Sequence, residues 1–264
     1  MKIKSNDAEI FYEVRGKGRP LVLLHPFPAN HELWLPVADL LATRYQLILP
    51  DLRGHGESGV GDGPATMEKH AGDVAAICDA AGVRKAVFAG VSIGGYVLLE
   101  FWRRFRERVA ALMLLDTRAT ADTEEGRAGR LKSAEDVEKQ GPEPFIDGLI
   151  PKLIGKTTRT NRPDLVAAAR AMMMKMAPAG IASVQRGMAA RPDSTPTLRT
   201  IDVPVLLVTG EEDELTPVGD SQFMQQQIPN SKLQVIPRAG HYAIFEQHED
   251  AARIMRQFLE ALTY

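Results

Sequence analysis

One serine in the sequence has the surroundings of a catalytic nucleophile. The segment Gly90-Val91-Ser92-Ile93-Gly94 matches the pattern G-x-S-x-G, follows an apolar run at 86–89 and precedes a stretch of helical character. In such a strand-to-helix turn the serine lies on a strained backbone, and small residues two positions away let helix and strand pack closely. Because a serine hydroxyl is a weak nucleophile until a base removes its proton, Ser92 predicts a histidine and an acid elsewhere in the chain.

The histidine base is expected late in the chain, because the order serine, acid, histidine accompanies this kind of turn. Of the six histidines, His241 and His248 are the two that follow the apolar run at 205–208. His248 begins a helical segment beside two acidic residues, which is typical of an exposed position. His241 follows a glycine in a loop after a strand-like run, and the sequence therefore predicts His241 as the base.

Two aspartates could hold that histidine in the tautomer it needs and stabilise its cation. Asp213 lies in an acidic loop directly after the apolar run at 205–208, and Asp116 ends the apolar run at 109–115. We predict Asp213 as the acid of the triad. Asp116 is the alternative, and its other interpretation is a polar strand end.

Short apolar runs that do not alternate with polar residues predict strands buried on both faces. Such runs lie at 21–24, 47–49, 86–89, 111–115 and 205–208. Segments of helical character separate most of them, at 66–81, at 93–108, from Thr216-Pro217 onward and at 248–262. This alternation of strands and helices predicts a doubly wound α/β sheet.

The alternation stops after Asp116. Residues 117–198 carry no strand-like run, are charged and helical in pattern, and are interrupted by several prolines. We therefore predict a core made of residues 1–116 and 199–264, with a helical insertion at 117–198. The methionine-rich run at 171–176 fits two roles equally, the apolar wall of a ligand cleft or the core of a helix.

The composition is that of a globular protein with room for a large core. The 264 residues are 44% hydrophobic and 25% charged, with a formal net charge of −2, which gives no basic surface for nucleic acid or an anionic membrane. No apolar run approaches the roughly 20 residues that span a bilayer. The single Cys78 excludes an intrachain disulfide and a multi-cysteine metal site. Since the first residues lack the apolar stretch of a signal peptide, we expect a cytoplasmic protein. We also expect that it uses neither a metal nor a cofactor.

Together these motifs resemble the α/β-hydrolase family. Besides the nucleophile turn, the acid loop and the histidine loop, residues 23–28 resemble the family's loop after its third strand. Residues 51–58 resemble its D-x-R-G-x-G-x-S turn after the fourth strand. The resemblance implies a mostly parallel sheet of eight strands and a helical cap over the site at 117–198.

The resemblance also implies an oxyanion hole made of two backbone N–H groups. By position, these belong to Ile93, directly after the nucleophile, and to Phe27 in the loop at 23–28. One residue departs from the family pattern, since Pro26 stands where the family commonly has glycine. Proline has no N–H, so Pro26 cannot donate and Phe27 must do so.

Within the family, the chain resembles small carboxylesterases and lactonases of the 3-oxoadipate enol-lactonase type. The expected reaction is hydrolysis of a small carboxylic ester or lactone through an acyl-enzyme on Ser92. Two alternatives stay open: C–C bond hydrolysis or cofactor-free perhydrolysis with the same triad, and a non-catalytic ligand receptor on the hydrolase fold. The near-neutral charge and the methionines favour a small, largely uncharged substrate with an apolar acyl group.

Overall fold

The computed structural model describes residues 1–263, and an eight-stranded sheet forms the centre of this part of the chain. The strands are β1 (Lys2–Ser5), β2 (Ala8–Arg15), β3 (Arg19–Leu24), β4 (Tyr45–Pro50), β5 (Ala86–Val91), β6 (Val109–Leu115), β7 (Val205–Gly210) and β8 (Ser231–Ile236). Their spatial order is β1-β2-β4-β3-β5-β6-β7-β8. β2 pairs antiparallel with β1 and with β4, and the other neighbours pair in parallel. The predicted mostly parallel α/β sheet is confirmed.

Helices connect the parallel strands, because two such strands cannot be joined by a tight hairpin. In the core they are α1 (Leu35–Leu41), α2 (Met67–Ala80) and α3 (Ile93–Phe105), followed after β7 by α10 (Val218–Gln227), α11 (Ala243–Glu246) and α12 (His248–Ala261). The helices expected at 66–81, 93–108 and 248–262 correspond to α2, α3 and α12. Short 3₁₀ turns at His31–Trp34 and Arg106–Arg108 complete these connections.

The neighbouring strands β5, β6 and β7 are buried at every position. This burial explains why their sequences are continuous apolar runs rather than alternating ones. Cys78 is buried on α2.

Between β6 and β7 the chain forms the segment that we call the helical insertion, residues 117–198. Its helices are α4 (Glu124–Gln140), α5 (Glu143–Leu153), α6 (Lys156–Asn161), α7 (Pro163–Met173), α8 (Pro178–Ala189) and α9 (Thr195–Leu198). Within it, α4 packs along α8. Met172, Met173 and Met176 are buried in the hydrophobic core, so the methionine run is part of the packing of this segment.

The described helices are short or interrupted. No single helix within residues 1–263 is long and apolar enough to cross a membrane. Only α7 and α8 taken together reach that length and hydropathy, and this pair is bent by 91°.

The carboxyl ends of β3, β5, β6, β7 and β8 meet at one edge of the sheet, because these strands run in parallel. Phe27 follows β3, Ser92 follows β5, Asp116 follows β6, Asp213 follows β7 and His241 follows β8. In open α/β sheets this edge is where ligands bind. The fold thus assembles residues that are more than 200 positions apart in the sequence.

Candidate active site

Ser92 stands on a strained turn between β5 and α3. Its φ of 54° and ψ of −113° lie outside the regions that L-residues ordinarily occupy, a conformation that costs about 1–3 kcal/mol and is concentrated at functional sites. The glycines around it are required by space: a Cβ at Gly94 would lie 2.7 Å from the carbonyl oxygen of Leu24. The hydroxyl of Thr117 donates to the carbonyl of Ser92 at 2.7 Å and ties the end of β6 to this turn.

His241 and Asp213 form a buried pair. His241 Nδ1 lies 2.8 Å from Asp213 Oδ2, and the two side chains are 2% and 0% exposed. Burial by itself raises the pKa of Asp213, but the nearby His241 ring and the hydrogen bonds from His241 and Thr216 outweigh it and lower the pKa. An ionised Asp213 accepts a hydrogen bond from the Nδ1–H group of His241, and this tautomer leaves Nε2 of His241 unprotonated.

Thr216 has a role at this site that the sequence did not indicate. We expected Thr216-Pro217 to open a helix as the N-cap and first residue, but that prediction was wrong, since α10 begins at Val218 with Pro217 as its N-cap. The Thr216 hydroxyl instead donates to Asp213 Oδ2 at 2.5 Å. The N–H groups of Leu215 and Thr216 donate to Asp213 Oδ1 at 2.8 and 3.0 Å, so the carboxylate is held on both oxygens.

Asp116 differs from Asp213 in its partners. It is fully buried at the end of β6, with φ of 43°, and its Oδ1 accepts the Gly210 N–H at 2.7 Å. Burial and the negative charge of Asp213 raise the pKa of Asp116 well above its usual range. Asp116 is therefore in surroundings that disfavour its charged form, and it is Asp213 that contacts His241.

The loop that carries Phe27 is held by a buried histidine. His25 Nδ1 donates to the Pro26 carbonyl at 2.9 Å, and His25 Nε2 accepts the Leu52 N–H at 2.8 Å. Burial lowers the pKa of His25 to about 4, so its ring is neutral at pH 7. Pro26 has no N–H group to donate, but its carbonyl accepts this hydrogen bond from His25. Ile93 lies at the start of α3, where the first N–H groups have no partner within the helix.

Ser92, Phe27 and His241 line one cavity of about 170 Å³. The cavity lies between the loops of the core and the helical insertion, and its further lining residues are Tyr96, Arg118, Asp122, Arg130, Leu149, Leu153, Gln185, Met188, Leu215 and Thr216. Within residues 1–263, no group of three His, Cys, Asp or Glu side chains is arranged to hold a metal ion. The arrangement of a serine, a buried histidine–carboxylate pair and a helix N-terminus suits nucleophilic acyl transfer.

Comparison with known families gives the same result as the geometry. Residues 19–247 match the model of the family described as alpha/beta hydrolase fold. The chain is an α/β hydrolase. The sequence motifs that resembled this family are therefore correctly identified.

Several relatives of this α/β hydrolase carry names that describe ester or lactone hydrolysis. The chain is 37% identical to a thermophilic esterase from Thermogutta terrifontis, solved with malate bound, with a TM-score of 0.97 and 100% and 99% of the two chains covered. It is 27% identical to 3-oxoadipate enol-lactonase 1 of Acinetobacter baylyi, over 92% of this chain and 89% of the relative. It is 26% identical to the pimeloyl-[acyl-carrier protein] methyl ester esterase of Chromobacterium violaceum, over 95% and 98% of the two chains.

Polar side chains of the helical insertion line part of the cavity in this α/β hydrolase. Arg130 Nε donates to Asp122 Oδ2 at 2.5 Å, and its Nη1 donates to Gln185 Oε1 at 3.0 Å. Arg191 Nη2 lies 3.2 Å from Asp122 Oδ1. Of the two roles left open for the methionine run at 171–176, the structure supports packing in the core, since Met188 is the only methionine among the described lining residues.

The helical insertion touches the histidine loop directly. Glu246, at the end of α11, accepts the N–H of Gly240 at 2.9 Å and the N–H of Gly155 at 3.0 Å. A Cβ at either glycine would collide with the backbone of the other. A second carboxylate, Glu212 in the acid loop, accepts the N–H of Thr157 at 2.8 Å and its hydroxyl. Sequence reasoning missed both carboxylates, because an isolated glutamate near a glycine has no distinctive pattern.

Proposed function

We propose that this α/β hydrolase is a serine hydrolase that cleaves a small carboxylic ester or lactone through an acyl-enzyme on Ser92. The observation that carries the proposal is the buried His241–Asp213 pair at 2.8 Å, at the cavity that Ser92 also lines on its strained turn. The helical insertion serves as the cap over this cavity. Cap and core correspond to residues 117–198 and to 1–116 with 199–264.

The first half of the reaction transfers the acyl group to the enzyme. His241 Nε2 takes the proton of the Ser92 hydroxyl as Oγ attacks the carbonyl carbon, and the carbonyl oxygen becomes an oxyanion. The tetrahedral intermediate then collapses, the C–O bond of the ester breaks, and the alcohol leaves with the proton from His241. A lactone reacts in the same way, with the alcohol still attached to the acyl chain.

The second half returns the enzyme to its starting state. Water gives a proton to His241 and attacks the acyl carbon, and the acid leaves as Ser92 Oγ recovers that proton. The N–H groups of Phe27 and Ile93 stabilise the oxyanion in both halves. Two features support these donors: the position of Ile93 at the start of α3, and the hydrogen bonds of His25 that hold the Phe27 loop. Removing a donor of this kind costs roughly 10²–10³ in kcat.

The small cavity and the relatives support an ester or lactone as the substrate. Ligand pockets for drug-sized molecules are about 300–1,000 Å³, and a cavity of about 170 Å³ is smaller than these. The relatives compared above are named as an esterase, an enol-lactonase and a methyl ester esterase. A compact acyl or lactone group is the substrate that both facts favour.

Covalent labelling tests the proposal directly. A fluorophosphonate is expected to modify Ser92, as located by peptide mass spectrometry, and Ser92→Ala is expected to lower kcat on p-nitrophenyl butyrate by at least about 10⁴-fold. Ser133, partly buried on α4 and outside the lining of this cavity, offers a matched control as Ser133→Ala, which should keep full activity. Labelling at another residue, or unchanged turnover by Ser92→Ala, would overturn the mechanism. Turnover only with added peroxide would indicate a perhydrolase instead.

A further inference from the structure

The polar wall of the cavity contains more positive than negative groups. Two guanidinium groups and one carboxylate line the cavity there: Arg118, Arg130 and Asp122. From outside the lining, Arg191 pairs with Asp122 and Asp220 pairs with Arg118. Nothing in the hydrolysis of a neutral ester requires an arginine, because the triad and the backbone N–H groups supply the chemistry. The excess of positive groups therefore needs an explanation other than the chemistry of ester hydrolysis.

Two of the three arginines are held rigidly by other residues of the insertion. Asp122 accepts from Arg130 at 2.5 Å and from Arg191 at 3.2 Å, so one carboxylate is shared by two cations. The Arg191 guanidinium also lies over the Tyr96 ring, 3.9 Å from its centroid. Burial raises the pKa of Asp122, but the hydrogen bond and charge of Arg130 outweigh burial and lower it. This group has a net positive charge and a fixed geometry.

Arg118 makes fewer hydrogen bonds than Arg130 and Arg191. Its Nε lies 3.3 Å from Asp220 Oδ2, and this Nε has no hydrogen-bond partner within residues 1–263. About a third of the side chain is exposed, at 32%, and it lines the same cavity as Ser92 and His241. The preceding residue, Thr117, is hydrogen-bonded to the carbonyl of Ser92, which fixes the backbone of Arg118 next to the nucleophile.

We propose that the substrate carries an ionised carboxylate besides the bond that is cleaved, and that Arg118, assisted by Arg130, binds this carboxylate. The substrate class is then the half-ester of a small dicarboxylic acid. This inference rests on the proposed function and names its substrate class. A guanidinium fork matches a carboxylate with two parallel hydrogen bonds, and binding energy from such a remote group helps to orient the reacting carbonyl.

Two methyl esters of equal chain length separate charge recognition from ester hydrolysis. Monomethyl glutarate carries a carboxylate where methyl pentanoate carries a methyl group. The wild-type enzyme is expected to have the higher kcat/KM on monomethyl glutarate, measured by methanol release. Hydrogen bonds to charged groups predict that Arg118→Gln loses about 10- to 100-fold in kcat/KM on this ester, and at least about ten times less on methyl pentanoate. Arg118→Lys, which keeps the charge but not the fork, should fall between wild type and Arg118→Gln.

Two further variants show whether Arg118 binds substrate or only stabilises the fold. Arg127, exposed on the same helix as Arg130, gives the matched control Arg127→Gln, which should leave both kcat/KM values unchanged. Asp220→Asn removes the carboxylate that competes for Arg118. A substrate-binding Arg118 predicts that Asp220→Asn keeps or raises kcat/KM on monomethyl glutarate. If the ion pair of Arg118 with Asp220 is purely structural, Asp220→Asn should lose the same factor in kcat/KM as Arg118→Gln.

The outcomes distinguish this inference from the proposed function. If the wild-type enzyme cleaves both esters through Ser92 but prefers methyl pentanoate, or if Arg118→Gln impairs both esters equally, the carboxylate site is wrong and the hydrolase stands. If neither ester is cleaved, titration calorimetry with glutarate still tests the site. Binding that weakens at least ten-fold in Arg118→Gln supports it, and equal or absent binding overturns it.

Discussion

The two walls of the cavity are built in different ways. The core wall, formed by loops after β3, β5, β7 and β8, holds its groups mainly through backbone contacts, as when Leu215 and Thr216 N–H groups fix Asp213. The wall formed by the insertion, the insertion wall, relies on side chains that hold one another, as in the contacts of Arg130 with Asp122 and Gln185. A backbone N–H donor does not depend on the side chain of its residue, whereas each substitution in a side-chain network changes its contacts.

This difference suggests a division of labour. The core wall carries the groups that any acyl-transfer reaction needs, on turns whose geometry depends on strained or glycine backbone. Under the proposed function, the insertion wall carries the groups that select one substrate from another. Substitutions in the core wall should therefore change the rate for every ester, and those in the insertion wall should change the preference among esters.

The largest expected effect concerns the two aspartates at neighbouring strand ends. Asp213→Asn should lower kcat by about 10³–10⁴-fold on every ester, because the amide no longer stabilises the His241 cation or selects its tautomer. Asp116→Asn should keep kcat within about three-fold of wild type. Burial already disfavours a charge on Asp116, asparagine tolerates its positive φ, and the amide oxygen can still accept the Gly210 N–H.

Kinetics of the two variants on p-nitrophenyl butyrate decide this point. Circular dichroism and thermal melting of each variant serve as the folding control. A loss in Asp116→Asn equal to or larger than that in Asp213→Asn would identify Asp116 as the triad acid.

The next effect concerns stability at low pH. Acid should unfold the core wall before it unfolds the insertion wall. His25, His55 and His70 are fully buried under the core wall, where burial lowers the pKa of His25 to about 4, of His70 to about 3 and of His55 well below its ordinary range. At these three histidines the unfolded chain therefore binds more protons than the folded chain below about pH 6.5. Their contribution to stability is fully present above that pH and is lost as the pH falls, by about 2 kcal/mol at pH 5 for His25 and for His70 each.

His31 acts in the opposite direction, because its hydrogen bond and charge interaction with Asp51 outweigh burial and raise its pKa. Urea unfolding at pH 7.5 and pH 5 measures the net change, which we expect to be a loss of several kcal/mol. His70→Leu should reduce the loss, and the partly exposed His248→Gln should leave it as in wild type. Since residues 117–198 contain no histidine, α4 and α8 should keep their hydrogen-exchange protection after the loops of the core wall lose theirs.

The smallest effect concerns the joint between the two walls. Glu246→Gln replaces one of two acceptor oxygens with an NH₂ group, which then faces the N–H of Gly155 or of Gly240. We expect a loss of about 1–3 kcal/mol in the free energy of unfolding, measured with urea, and faster hydrogen exchange at Gly155. Glu249→Gln, exposed on α12, is the matched control. Equal stability of the two variants would mean that Glu246 does not join the walls.

The core wall was predictable from the sequence because backbone geometry leaves a local pattern. The turn at Ser92 needs glycine at positions 90 and 94, and the buried strands need continuous apolar runs, so both appear as short motifs in the expected order. The catalytic roles of the residues at these turns stay predictions until the experiments above are done.

The insertion wall was not predictable, for an equally physical reason. The contact of Arg130 with Gln185 joins residues 55 positions apart, and neither residue needs a special backbone or a fixed neighbour. Surface helices are rich in arginine and aspartate, so such a network has no recognisable pattern before the chain is folded. For the same reason the sequence could not decide between the two roles of the methionine run, in which Met172, Met173 and Met176 pack within the core.

The close approach of Gly155 to Gly240 limits how this enzyme can be re-engineered. Exchanging the insertion for that of another α/β hydrolase is an obvious route to a new substrate range, since the sheet would be left intact. A transplanted segment with any side chain at position 155 would push against the loop of His241 and move the base itself. We expect that a chimera which retains both Gly155 and Glu246 keeps the catalytic geometry while its substrate specificity changes.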